Sequence, residues 1–198
     1  MAKHSASKPA PIAAIKKASA TLDASLNAYL KDKAPAEDVA SYDSKVLQLA
    51  ASKAAAALEK HRVGSTVITF DNDATLLREG RQLTVITVVN DNMPFLFDSI
   101  MGEITDVAGE PSLVVHPVFG VHHSKSGVRD IVDDGLARKN EADTDRVSLI
   151  HVHVPRLDDA KQHELEVRLN RLVKQIRAVV ADWRPMLARL DQAISAFR

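Results

Sequence analysis

Histidine and the acids near it are the groups best able to do chemistry in this 198-residue chain, which has 8 His and no Cys. In the run VSLIHVHV (Val147–Val154), His151 and His153 alternate with Ile150, Val152 and Val154, so on a strand both imidazoles share one face. In Leu113–His123 the alternation puts Leu113, Val115, Phe119 and Val121 on one face and His116, Val118 and His122 on the other. Pairing of the two strands with matched faces would set four imidazoles on one surface, and imidazole is a common zinc ligand. No Asp or Glu is interleaved, so the four read as a half-wet sheet face used as an interface, and no metal site is expected. Ser99 follows Asp98, but no G-x-S-x-G elbow surrounds it and no base can be assigned, so no catalytic residue is expected. Asp71, Asp73, Asp133, Asp134, Asp143 and Asp145 lack EF-hand spacing and read as solvated loop acids.

The other informative stretch runs from Asn90 to Ile100 (NDNMPFLFDSI), where a strand ends and a helix opens. A helix N-terminus offers unpaired amides and the positive end of a dipole, which suit a carboxylate. Asn90, Asp91, Asn92, Met93, Phe95 and Asp98 are therefore the candidates for an effector or partner contact, with a capped β–α turn as the plainer account. Composition closes off other classes. Lys+Arg and Asp+Glu each number 26, a balance unlike that of a dedicated nucleic-acid or polybasic membrane binder. The 7 glycines never fall closer than seven apart, so neither GxGxxG nor a P-loop can be written. No run approaches the ~20 apolar residues that span a bilayer, and the N-terminus lacks both a secretory h-region and the Arg of a transit peptide. A cytoplasmic location is expected, with the first ~10 residues mobile.

Three stretches position these groups. Residues 1–62 read as an Ala-rich helical segment, with one helix through Ile15, Leu22, Leu26 and Tyr29, an interruption at Pro35, and a second helix from about Ser41 to His61. Residues 63–198 read as an α+β domain with a helical extension. Thr66–Phe70 is strand-like, Leu83–Val89 is apolar on both faces like a central strand, and Pro94 to Ala108 is a helix closed by Gly109. Ser124–Asp145 reads as a long polar loop. A last helix opens at Asp158 or Asp159, and Leu165, Leu169, Leu172, Val173, Ile176, Val179 and Trp183 form a stripe that makes Trp183 an expected core anchor. Pro185 is expected to kink or restart it. Leu83–Trp183 gives β-α-β-β-α, a ferredoxin-like unit without its last strand, whose edge place the Thr66–Phe70 strand can fill. Two helices would cover one face of the antiparallel sheet. The other face must meet solvent, the N-terminal helices or a partner.

The pattern Asp91-x-x-Pro94-x-Leu96-x-x-x-Ile100-x-x-x-Ile104-x-x-x-x-Gly109 resembles the first β–α turn of ACT domains, small ferredoxin-like modules that regulate amino-acid enzymes. TVITVVNDNMPFLFDSIMGEI, then LVVHPVFGV, then ADWRPML resemble, in that order, the N-terminal region of the large bacterial NAD-specific glutamate dehydrogenases. That resemblance implies a non-catalytic regulatory or assembly module, with the parent enzyme oxidising L-glutamate to 2-oxoglutarate and ammonia while reducing NAD. It implies NAD for the parent and no cofactor in this chain. The partners it implies are a second copy, the remainder of the enzyme and an amino-acid effector, without nucleic acid or membrane. A free-standing ACT-like sensor or adaptor acting on an amino-acid enzyme in trans is the alternative. One departure bears on the effector: amino-acid-binding ACT turns usually carry Gly after the Pro, and here Phe95 stands there, expected to shield the amides and favour packing or an interface.

Overall fold

The computed structural model describes residues 22–30, 34–125, 127–133 and 144–196; the expected mobile N-terminus and Ile15 lie outside them. Residues 22–30 are helical (α1). A one-turn helix, α2 (Ala36–Ala40), follows Pro35, and α3 (Ser44–Lys60) is capped by Asp43, whose carboxylate accepts the Lys45 N–H. Strand β1 (Thr66–Asp71) is followed by the two-residue β2 (Leu77–Arg78) and the long β3 (Arg81–Asp91). Helix α4 (Leu96–Ala108) ends at Gly109, whose φ of 80° suits a residue without Cβ. Then come β4 (Leu113–Val115), β5 (Val118–Ser124), β6 (Gly127–Asp133), β7 (Asp145–Pro155) and α5 (Asp159–Ala196). Asp158 caps α5 by accepting the Lys161 N–H at 2.8 Å.

The strands form one antiparallel sheet in the order β1-β3-β7-β5-β6. β4 lies end to end with β5 along the same edge of β7, because Pro117 between them has no N–H to give. This is the ferredoxin-like arrangement, β3-α4-(β4/β5)-β7-α5, with β1 on the outer edge of β3 where that unit's last strand would run. The α+β, ACT-like reading of the sequence therefore holds, including the edge place of the Thr66–Phe70 strand. Part of the expected loop at 124–145 is instead β6, a seven-residue strand on the far edge of β5.

Alternation on β3 and β7 builds two cores. Ile86, Val88, Ile150, Val152 and Val154 face α4 and α5, meeting Leu96, Ile100 and Ile104 of the one and Leu165, Leu169, Val173 and Ile176 of the other. Arg168 of α5 clamps the pair by ion pairs to Glu103 and Asp106 of α4. The opposite face, bearing Leu83, Val89, Val147 and Leu149, is covered by α1 and α3. The covering face of α3 is mostly alanine (Ala50, Ala51, Ala54, Ala55 and Ala57), so its backbone lies close to the sheet. That closeness explains Gly127: a Cβ there would stand 1.9 Å from the Glu59 carbonyl oxygen, and its φ is +140°. The N-terminal helices thus share one core with the sheet, and the face that was open to three fates in the sequence is closed by them.

Trp183 is a correction. It is 53% exposed, not a core anchor, because α5 runs past the sheet: the stripe is buried through Ile176, Val180 is still half-buried against the same core, and the large apolar residues from Trp183 on are exposed. The helix also continues through Pro185 without a break.

Candidate functional site

The β3–α4 turn is built from the strand outward. Asn90, at the end of β3 and fully buried, accepts hydrogen bonds on Oδ1 from Thr66 Oγ1 and from the Arg177 guanidinium, both at 2.7 Å, and donates to the Asp91 carbonyl. Arg177 also donates to the carbonyl oxygens of Gly64 and Ser65, so one α5 side chain fastens the start of β1 to the end of β3. Asp91 accepts the Gly64 N–H at 2.8 Å. Two of the six candidates, Asn90 and Asp91, are thus committed to holding strands together. Met93 is half-buried against the α4–α5 core. Asn92, Phe95 and Asp98 face outward, and the structure brings these three together as the exposed surface of the turn.

Phe95 is unusual twice over. Its φ of 66° is left-handed, the conformation a glycine takes without cost, and its ring is 63% exposed. The backbone has kept the glycine-like turn while the side chain stands in solvent. The expected packing of Phe95 within the chain is therefore not what the structure shows.

The histidine surface inferred from the sequence does not form. Leu113 stands opposite His153 and Val115 opposite His151, and directly opposed residues share a sheet face. His151 and His153 therefore lie with Leu113 and Val115 beneath the N-terminal helices, both fully buried, while His116 and His122 lie on the other face. An interface role for His151 and His153 is corrected on that ground. His116 is half-buried, its ring stacked on Phe97 of α4 with centroids 4.4 Å apart, and its Nε2 pairs with Ser148 Oγ at 2.7 Å. Burial lowers its pKa, and Asp98 partly opposes this. His122 is also half-buried, paired with Asp130 across β5 and β6 at 2.9 Å.

Beneath α2 and α3 the two buried histidines form a polar ladder. Ser112 Oγ donates to the His153 carbonyl oxygen and so accepts from Tyr42 Oη, at 2.9 Å. Tyr42 Oη then accepts from His153 Nδ1 at 3.1 Å, His153 Nε2 accepts from His151 Nε2 at 3.0 Å, and His151 Nδ1 accepts from Thr87 Oγ1 at 3.0 Å. Every donor is used once with both rings neutral. A further proton on His153 would set its Nε2–H against that of His151, and one on His151 Nδ1 would turn the Thr87 hydroxyl from donor to acceptor, both in a site without water contact. Burial pushes the pKa of His151 down to about 4, and burial, His151 and Arg78 push that of His153 down as well.

A second histidine pair escaped the sequence reading. His61, which ends α3, is buried against His123 of β5, with Nδ1 and Nε2 3.1 Å apart, and His123 Nδ1 donates to Asp145 at 2.8 Å. His61 Nε2 faces Asp91 at 3.6 Å, and burial, opposed by that carboxylate, lowers the His61 pKa. The parity of His123 with Phe119 and Val121 is the signal that marks it as inward-facing. Nothing local marks His61, whose partner is 62 residues away. Among the described residues no group of three or more His, Asp or Glu is placed to hold a metal ion, and no helix is long and apolar enough to cross a membrane.

The β3–α4 turn differs from a dinucleotide-binding turn. Nicotinamide cofactors bind where parallel strands end at a glycine-rich turn, whereas every strand pair here is antiparallel and the β3–α4 turn carries Met93, Pro94 and Phe95. Fold and turn together define an ACT-like module. The family model of the glutamate dehydrogenase ACT1 domain matches residues 26–169, and the chain belongs to that family. The match takes in the whole sheet and the helices α2 to α4. Searches of curated proteins and of solved structures found no match.

Proposed function

We propose that the chain is a non-catalytic regulatory and assembly module of an NAD-dependent glutamate dehydrogenase, an enzyme that oxidises L-glutamate to 2-oxoglutarate and ammonia. The observation that carries this is the family match over residues 26–169, laid on an all-antiparallel sheet. Dehydrogenation needs the nicotinamide ring and the substrate carbon held together, and several polar groups among the described residues are engaged in structural contacts. Asn90, Asp91 and Arg177 lock strands, and His151 and His153 are sealed in a neutral ladder. What remains for function is surface: Asn92, Phe95 and Asp98 at the β3–α4 turn, where a left-handed aromatic offers an anchor for an effector or for the rest of the enzyme. A cytoplasmic site and a part in amino-acid breakdown go with this reading. The test is an assay of the purified chain with glutamate and NAD. No NAD reduction and no NAD binding are expected, and glutamate-dependent reduction with contaminating enzyme excluded would overturn the proposal.

A further inference from the structure

Beyond the sheet, α5 carries an apolar stripe that is exposed among the described residues. Val179, Trp183, Met186, Leu187, Leu190 and Ile194 are all exposed by 43% or more. From Val179 to Ile194 they span 16 residues of helix, about 22 Å at ~1.5 Å rise per residue. Single exposed apolar residues are ordinary, but a contiguous stripe of this size marks a contact surface. The spacing Val179, Trp183, Met186, Leu190 is four, three, four, the a/d repeat of a two-helix seam. Pro185 falls at a position pointing away from that seam.

The flanks say what fits. In a parallel pair of identical helices, Asp182 would face Leu187 and Arg189 would face Ile194, which strands both charges against aliphatic side chains. In an antiparallel pair, Trp183 packs against Met186 of the second copy and Val179 against Leu190 of the second copy. The same register sets Asp182 beside Arg189 of the second copy on one flank, twice by symmetry. The helix is complementary to itself only when reversed.

We infer that the overhanging half of α5, residues 179–194, docks against the same segment of a second copy of this chain as an antiparallel helix pair. This gives the assembly part of the proposed function a surface, but the pairing stands on α5 alone. Its test reads association rather than activity, so the two readings fail separately.

The test is sedimentation equilibrium of the 198-residue chain at low ionic strength, with far-ultraviolet circular dichroism as the folding control. The altered residues are exposed, so the fold is not at risk. A dimer is expected, with Kd raised about tenfold by Asp182→Arg or by Arg189→Asp alone, since each sets like charges together twice. Combining the two reversals restores opposite charges and returns the Kd close to that of the parent. Trp183→Ala, which removes the central aromatic, raises it by about thirtyfold or more. A chain still monomeric at about 0.1 mM, where even a weak dimer is populated, overturns the inference. So does a dimer indifferent to the single reversals, or one that the double reversal fails to restore.

Discussion

Acidification should destabilise this fold well before its carboxylates are protonated, and the histidine ladder sets the size of the effect. His151 is fully buried, accepts from Thr87 and donates to His153, and burial holds its pKa down to about 4 against an ordinary 6.5. The folded chain keeps this ring neutral while the unfolded chain protonates it below pH 6.5. The contribution is therefore complete above pH 6.5 and is lost as pH falls toward 4, with no further change from this group below that. A gap of about 2.5 pH units at ~1.36 kcal/mol each gives a total of about 3 kcal/mol, of which about 2 is already lost at pH 5. His153, His61 and His116 are lowered too and act in the same direction. Against a typical domain stability of about 5–15 kcal/mol, that is a large fraction. The assay is urea unfolding at pH 7.5, 6 and 5, followed by circular dichroism, with imidazole carbon shifts recorded by NMR over the same range. The midpoint should fall steadily with pH while His151 stays neutral to below pH 5. A flat midpoint, or a His151 titrating near 6.5 in the folded protein, would refute the sealed ladder.

Gly127→Ala should cost well over 2 kcal/mol, since its Cβ would meet backbone rather than a side chain that can move, and thermal unfolding of the variant reads this directly. At concentrations where the chain is monomeric, Trp183→Ala should change stability by less than about 0.5 kcal/mol, whereas Leu169→Ala, buried under α4, should cost about 2–5 kcal/mol. Equal losses from the two would mean that α5 packs along its whole length. Arg177→Ala should release the start of β1, seen as faster amide hydrogen exchange at residues 64–66; unchanged exchange there would remove Arg177 from its fastening role.

Much of the sheet was legible because period-two alternation survives in β3, β5 and β7. The face parity within each strand was readable as well: Leu113, Val115, Phe119 and Val121 do share a side. What alternation within one strand cannot supply is the register between strands. The joint placement of His116 and His122 with His151 and His153 failed there, since only the pairing of Leu113 with His153 decides the face. The cover over that face was hard to weigh because α3 presents alanines, which bury little apolar area yet allow a close fit. The β2–β3 hairpin was hidden by its turn, Glu79-Gly80, with φ of 49° and 77°, where Asn-Gly or Asp-Gly is the usual signature. Trp183 shows the limit of a helical stripe, which reports that a face wants a partner and not that the chain provides one. Of the candidate site, the turn was found by its position between strand and helix. The locking roles of Asn90 and Asp91 depend on Arg177 and Gly64, which are remote in sequence.

The central claim, that this segment serves a glutamate dehydrogenase without doing its chemistry, is tested most directly by fractionation. An extract of the cells that make it is separated by size, with peptides of this sequence followed by mass spectrometry and glutamate-dependent NAD reduction followed in the same fractions. The account predicts that sequence and activity elute together. Elution of the sequence apart from all such activity would contradict it.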